Sequence, residues 1–453
     1  MANIKVLLWF DVEDYITPES EDALLELLIL CDEKQIKGIF KMVGEKARVL
    51  AEHGRTDILE KLKNHEVGYH TDFHSVHPTV SEYLERKGFR EGAEQFHDNE
   101  FNGFQDVASI TGMPIKCYGQ PGFSWAPQAF PALLGWGIPV YLDTGRQITL
   151  HAKPYWYGGM LNFMDLPGLM RMELMEGGLE EAKRQFDDIY EKLSAQSIGF
   201  VSIVYHPNEF STTEFWDLIN FGEGKNTPRN EWRPAPLRPF GMMERYIRML
   251  GQFIDYTLSK ENVEYITSAQ TLELEKSRKD ELAPEHVRTL AANTGKDLYF
   301  QLFSGYSLSV SDLHSIFVSY LLGKPLVPEL IYGPETAAES DIVTAVKVAD
   351  LKAAISVPYP KVRGSYHLPD HFHIGEAKIN PVDVTCTLAK VIREGLKDED
   401  EVTVVRGSLR TQIHANEDDF WGNGWEIFPR DFRVPNIVRM SKLQTWTLKP
   451  AIF

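Results

Sequence analysis

Cysteine is scarce. Cys31, Cys117 and Cys386 are the only three in 453 residues, and none lies close to another. That spacing excludes a disulfide framework and a cysteine-built zinc site. Long apolar runs are missing too: none reaches the ~18 residues that a bilayer crossing needs. The N-terminus lacks a charged leader, an apolar core and a small-residue cleavage site. Instead Met-Ala-Asn-Ile-Lys enters an apolar strand at once. These absences predict a cytoplasmic chain. Basic residues are in deficit, 47 against 65 acidic ones, for a net charge of −18. A surface of that sign repels phosphate backbones and anionic lipid, so neither nucleic acid nor a membrane surface is an expected partner.

What remains is an ordinary globular balance in a chain long enough for two domains or more. Strand-like runs alternate with helical patterns through the first 270 residues. Residues 4–10 form a near-continuous apolar run, as a strand buried on both faces should. Further strands are predicted at 38–43, 67–70, 115–119, 139–142, 161–166, 200–205 and 263–267. Helical patterns fall between them, beginning with a leucine-rich stretch that Ser20 can cap. Such alternation implies parallel strands joined by helical crossovers, an α/β fold closing as a distorted (β/α) barrel. The proline-rich stretch 222–240 reads as a long loop, a frequent carrier of function. The charged run around 276–285 predicts a boundary between a domain of residues 1–275 and a C-terminal α+β extension of residues 276–453. Within the extension, the segments at 308–313 and 379–384 share an apolar-polar-Asp-apolar pattern ahead of a helix. A duplication would give this, and so would two unrelated capped helices. The tail from Phe420 onward is aromatic, with Trp421, Trp425 and Trp446.

Four polar clusters follow predicted strands: residues 10–15 (Phe-Asp-Val-Glu-Asp-Tyr), 68–74 (Gly-Tyr-His-Thr-Asp-Phe-His), 118–125 (Tyr-Gly-Gln-Pro-Gly-Phe-Ser-Trp) and 203–207 (Ile-Val-Tyr-His-Pro). In a parallel α/β barrel, active sites assemble at the strand C-termini. Each cluster alone has an ordinary explanation as a cap, a turn or a structural histidine. Their common placement is what argues for chemistry.

In order and spacing these clusters resemble the motifs of the NodB-homology polysaccharide deacetylases, the carbohydrate esterase family four type, over residues 1 to about 275. Asp11 stands in the first motif. His70-Thr71-Asp72-Phe73-His74 matches the His-(Ser/Thr)-x-x-His motif. Gln120-Pro121-Gly122 is similar to the third, Asp143 to the Asp of the fourth, and the strand ending in His206 to the last. The resemblance implies a hydrolase of an N-acyl amide, most simply N-acetyl on an amino sugar or polysaccharide, using a divalent metal, expected to be zinc. Two imidazoles and one carboxylate are a common three-ligand set that leaves positions open. His70 and His74 would supply the nitrogens, and Glu13 or Asp14 the carboxylate. Strand geometry puts Asp11 and Glu13 on one side, which favours Glu13. Asp11 would act as general base and His206 as general acid, with Asp143 holding the His206 imidazolium. Gln120, Pro121, Phe123 and Trp125 would contact substrate, with backbone N–H groups near 121–123 available to an oxyanion.

One departure stands out. The family's third motif usually carries an arginine that pairs with the base aspartate; here Gln120 stands in that place, and it would reach Asp11 without supplying charge. Cytosolic relatives with altered third motifs act on small cyclic amides or ureides, some without metal, and that is the alternative reading. A third is a carbohydrate-binding protein without catalysis. The histidines His367, His371 and His373, with Asp370, read as an exposed loop rather than a second metal site, and His77 as loop. Residues 276–453 are open to a lid, a homo-oligomer interface or a glycan-binding surface.

Overall fold

The computed structural model describes residues 3–419 and 425–453. One large sheet organises the first 275 residues. Its strands are β1 (Asn3–Val12), β2 (Ile39–Met42), β3 (Glu66–Tyr69), β4 (Ile115–Tyr118), β5 (Val140–Leu142), β6 (Tyr155–Tyr157), β7 (Met160–Phe163), β8 (Leu169–Met170), β9 (Ile198–Tyr205) and β10 (Val263–Tyr265). Starting from Lys449–Pro450 at one edge, the order is β6-β7-β5-β4-β3-β2-β1-β9-β8, and β10 also pairs with β1. Pairing is parallel except where β6 meets β7 and Lys449–Pro450. No ladder joins the β8 edge to the Lys449–Pro450 edge among the described residues. The result is the distorted barrel that the α/β alternation predicts, except that the sheet does not close between these two edges.

β1 is the axis because both its faces are apolar. Val6, Leu8 and Phe10 point into the core beneath the outer helices, while Leu7 and Trp9 join Ile39, Cys117, Val140 and Leu161 on the inner face. At ~25 cal/mol per Å² of apolar surface, such two-sided burial makes a central parallel strand the most heavily stabilised in a sheet. All eight predicted strands are present. β6 and β8 are additional; at three and two residues they are too short to show a period. Ser20 does not cap its helix. It lies inside Glu19–Glu33 and donates its hydroxyl to the carbonyls of Asp14 and Thr17. The 222–240 stretch is a loop with two single 3-10 turns.

Residues 284–409 build around a second apolar core. The two segments with the shared pattern take one form there. Hairpin Gln301–Phe303/Tyr306–Leu308 leads to helix Val310–Leu321, and hairpin Phe372–Ile374/Ala377–Ile379 leads to helix Pro381–Glu394. Ser309 and Asn380 cap these helices by accepting the backbone N–H of Asp312 and Asp383. After residue 409 the chain returns to the first sheet. Ile437 and Val438, on helix Pro435–Gln444, enter the first core, Trp446 the second, and Lys449–Pro450 extends the barrel edge. Of the aromatic tail, Phe420 and Trp421 lie outside the described residues. No helix among the described residues is long and apolar enough to cross a membrane.

Candidate active site

The C-terminal ends of β1, β3, β4, β5 and β9 open on one cavity of about 400 Å³. Glu13, just past β1, meets His70 and His74, which follow β3. Their ligand-type atoms all lie within 4.8 Å of one another. The loop that carries both histidines is bent. Thr71 and His74 have φ of 67° and 56°, a left-handed conformation that costs about 1–3 kcal/mol in a non-glycine residue. Glu100 holds the bend by accepting the Asp72 backbone N–H, and Thr71 Oγ1 accepts that of His74.

Each imidazole is oriented through its far nitrogen. His70 Nδ1 lies 2.9 Å from the Gly119 carbonyl and His74 Nδ1 2.6 Å from Ser75 Oγ, whose hydroxyl donates to Asp217. Their Nε2 atoms face Glu13 Oε2 at 3.7 and 2.9 Å. Trp216 Nε1 donates to the other Glu13 oxygen. His74 Nε2 is buried and turned toward Glu13 Oε2. Two imidazole nitrogens and a carboxylate oxygen gathered within 4.8 Å in a buried site are a donor set that fits a divalent cation, which would be held by all three at once. Burial raises the Glu13 carboxyl, but His74 and His206 outweigh it and hold it well below the usual range.

Asp14 does not join this group. Its Oδ1 accepts the backbone N–H of Ile16 and Thr17, so it shapes the turn after β1, and its carboxyl, pushed up to about 6 by burial, lies outside the cavity lining.

Asp11 sits opposite, with Oδ1 3.7 Å from His70 Nδ1 and Oδ2 3.7 Å from His206 Nε2. The residue that supplies its positive charge is Lys41, on β2. This ammonium is fully buried, 2.9 Å from Asp11, 3.4 Å from Asp143, and 3.9 Å from the centre of the Trp9 ring. Burial raises the Asp11 carboxyl, yet His70, Lys41 and His206 together bring it below its ordinary value. The expectation that the base lacks a cationic partner is therefore overturned. Gln120 does not reach Asp11. It donates to Asp143 Oδ1 and the Gly122 carbonyl, and accepts from the Tyr141 hydroxyl.

Asp143 is likewise not the orienting partner of His206. It is tied to Lys41, Gln120 and the Thr144 backbone N–H, and burial raises its carboxyl. Glu209, one turn beyond His206, takes that part. It bonds His206 Nδ1 and pairs with Arg171. Burial would lower the His206 imidazole, but Glu13, Glu209 and Asp11 outweigh it and push it up to about 9.

Phe123 lines the cavity as expected. Pro121 does not, although its neighbour Gly122 does. Trp125 faces the core, against Phe130 and Tyr157, because its loop turns inward there. Unexpected wall residues are Arg171, Phe215, Leu218 and, from the far end of the chain, Trp425 and Ile427. Lys41 had a signal in the sequence: a lone charge inside an apolar buried strand. Glu209 was three residues from a candidate histidine. Asp217 and Trp425 had no local signal.

The other histidines stay apart. His367 is buried and stacked on Phe89, His371 Nε2 bonds the Glu339 carbonyl, and Asp370 accepts the Thr336 N–H. Among the described residues Glu13, His70 and His74 form the one group with metal-ligand spacing. His77 is in a loop, as expected, held by Glu82 and the Phe221 carbonyl.

No protein-family model matches the sequence, and neither does any curated protein. Solved structures do match over part of the chain. A Mycobacterium smegmatis chain assigned as a polysaccharide deacetylase is 13% identical, with a TM-score of 0.40 over 60% of this chain and 90% of that one. Puue allantoinase is 14% identical, with a TM-score of 0.39 over the same shares. A family 4 carbohydrate esterase from Streptomyces lividans is 13% identical, with a TM-score of 0.33 over 60% and 96%. At such identities no residue's role is carried over from them.

Proposed function

We propose that the protein is a divalent-metal-dependent hydrolase of an N-acyl amide, acting on an acetylated amino sugar. The observation that carries this is the convergence, in one cavity, of three metal-type donors with the Asp11 carboxylate and the His206 imidazole, which lie 3.7 Å apart. Glu13, His70 and His74 would hold the cation. When bound, it would lower the pKa of a water and polarise the amide carbonyl.

The chain's own groups handle the protons. Asp11, whose carboxyl His70 and Lys41 hold below its ordinary value, accepts a proton from the attacking water. His206 donates its Nε2 proton to the leaving nitrogen while Glu209 holds the opposite ring nitrogen. One C–O bond forms, the C–N bond breaks, and the products are a carboxylic acid and an amine. An imidazole pushed up to about 9 is in its donating form at neutral pH.

The cavity volume also favours a second reading with the same chemistry, a small cyclic amide or ureide as substrate, because about 400 Å³ is near the lower end of the ~300–1,000 Å³ of small-molecule sites. Zinc-supplied protein should release acetate from N-acetylhexosamines, with one equivalent of metal by elemental analysis. Ring opening of cyclic amides without acetate release would select the second reading. Failure on both substrate types with metal bound would end both.

A further inference from the structure

Two cavities share one wall. Beside the catalytic pocket lies a surface cavity of about 680 Å³, formed by Gly222 and Glu223 on one side and residues 428–432 on the other. Leu218, Trp425 and Glu426 line both. Trp425 is the bulk of that partition. Its indole packs directly on Gly122, where a Cβ would meet three indole atoms at 2.5 Å. Its ring stands edge-on to His74, with centroids 6.0 Å apart, and to Phe428, at 4.9 Å. The segment is fixed in place. Glu223 and Gly224 donate their backbone N–H groups to the carbonyls of Glu426 and Ile427, and Ile427 is buried.

We infer that Trp425 is a size-selecting residue, confining the substrate to the catalytic pocket so that the amide cleaved sits on a single ring-sized unit or at a chain end, not within a polymer. This rests on the amide-hydrolase reading. A glycan bound at an internal unit must leave the pocket in two directions. Trp425, Leu218 and Glu426 stand across the direction that leads to the second cavity. That cavity has what a further sugar would use: polar groups on Asp431 and on the Glu223–Arg430 ion pair, whose oxygens and nitrogens keep further hydrogen-bonding capacity, and the apolar rings of Phe428 and Phe432. Among the described residues shared by the two linings, Trp425 carries the largest side chain.

The test is kcat/KM of zinc-supplied protein on an N-acetylhexosamine monomer, dimer and hexamer, with wild type, Trp425→Ala and Trp425→Phe. Wild type should prefer the monomer or dimer to the hexamer by at least about tenfold, the scale on which pocket shape discriminates. Trp425→Ala should narrow that gap, chiefly through KM on the hexamer, and Trp425→Phe should keep most of it. If Trp425→Ala does not fold, Leu218→Ala opens the same partition from a half-exposed position and should narrow the gap in the same sense. Equal wild-type rates on monomer and hexamer, or a gap unchanged in the folded variants, overturn the inference and leave the amide-hydrolase reading standing. If wild type hydrolyses no member, the amino-sugar reading fails instead, and size selection is read from calorimetric Kd on the same sugars. Tighter hexamer binding in Trp425→Ala then supports the inference. Equal affinities, or no binding by either protein, overturn it.

Discussion

Histidine is buried in opposite ways in the barrel site and in the second core. His70, His74 and His206 each face carboxylates within 3.9 Å. His314, on helix Val310–Leu321, faces none; its nitrogens meet Thr385 Oγ1 and the Tyr359 hydroxyl. Burial lowers the imidazole pKa in both places, since it disfavours the charged ring. At His74 and His206 the carboxylates reverse the effect, raising the first and pushing the second up to about 9. In the second core nothing opposes burial and His314 falls to about 3; at His367, stacked on Phe89, Glu335 and Asp370 offset burial only in part, and the ring falls to about 4. Burial therefore does not mark a functional histidine. The charge arranged around it does.

The hardest blow to that distinction would come from the ligands. His70→Ala or His74→Ala should lose bound zinc and reduce turnover to background, because a site with open positions does not survive loss of one of three protein donors. Glu13→Ala should do the same, whereas Asp14→Ala should keep its metal. Elemental analysis after dialysis decides this. Full occupancy in His74→Ala would reduce the cluster to another set of buried polar groups.

Lys41 comes next. Lys41→Met leaves Asp11 and Asp143 buried without their cation. Breaking a buried ion pair on one side costs about 3–5 kcal/mol, and turnover should fall by about 10²-fold as Asp11 loses its ionised form. Chemical denaturation and steady-state rates measure the two effects. Stability and turnover like those of wild type would mean that Lys41 does not sustain the base.

His206 and Glu209 should then separate by size of effect. His206→Ala should lower kcat by about 10²–10⁴-fold, the range for a general acid, with the greater loss on poorer leaving groups. Glu209→Gln keeps a hydrogen bond and loses the charge, so about a tenfold loss is expected, as for an orienting group behind a functional one. Its alkaline limb should also move to lower pH, because Glu209 is one of the groups raising the imidazole. Equal losses from both substitutions would make Glu209 more than an orienting residue.

The sequence disclosed the strands best, because two-sided burial writes an unbroken apolar run such as residues 4–10 and parallel pairing demands helices between. It brought out Asp11, Glu13, His70, His74 and His206 as candidates because they lie at or soon after predicted strand ends, and the structure gathers these five around one cavity. It misassigned the partners. Asp143 was given to His206 and Gln120 to Asp11, yet Lys41 and Glu209 hold those positions. Pairings of this kind depend on which side chains meet across the barrel, separated by 30 residues between Asp11 and Lys41, and periodicity carries no such information. Trp425 is the extreme case: it joins the pocket only because the chain returns past residue 409.

The smallest effect concerns His314 and separates the two regions by pH. Its folded pKa, about 3, lies below the ~6.5 of an unfolded chain. The unfolded state therefore binds the extra proton, and the stability tied to the neutral ring is complete above pH ~6.5 and lost as pH falls toward 3. The slope is at most about 1.4 kcal/mol per pH unit for this group. His206 has the opposite sign: its contribution is present below pH ~6.5 and lost as pH rises through about 9. Amide exchange along Val310–Leu321, followed from pH 7 to 5, should report an opening free energy that declines with acidity. His314→Gln can still bridge Thr385 and Tyr359 through its amide and has nothing to titrate, so it should flatten the decline while leaving activity unchanged. If exchange in wild type and His314→Gln shows the same dependence on pH, the acid response of the second core lies elsewhere, and the contrast between the two histidine settings loses its energetic content.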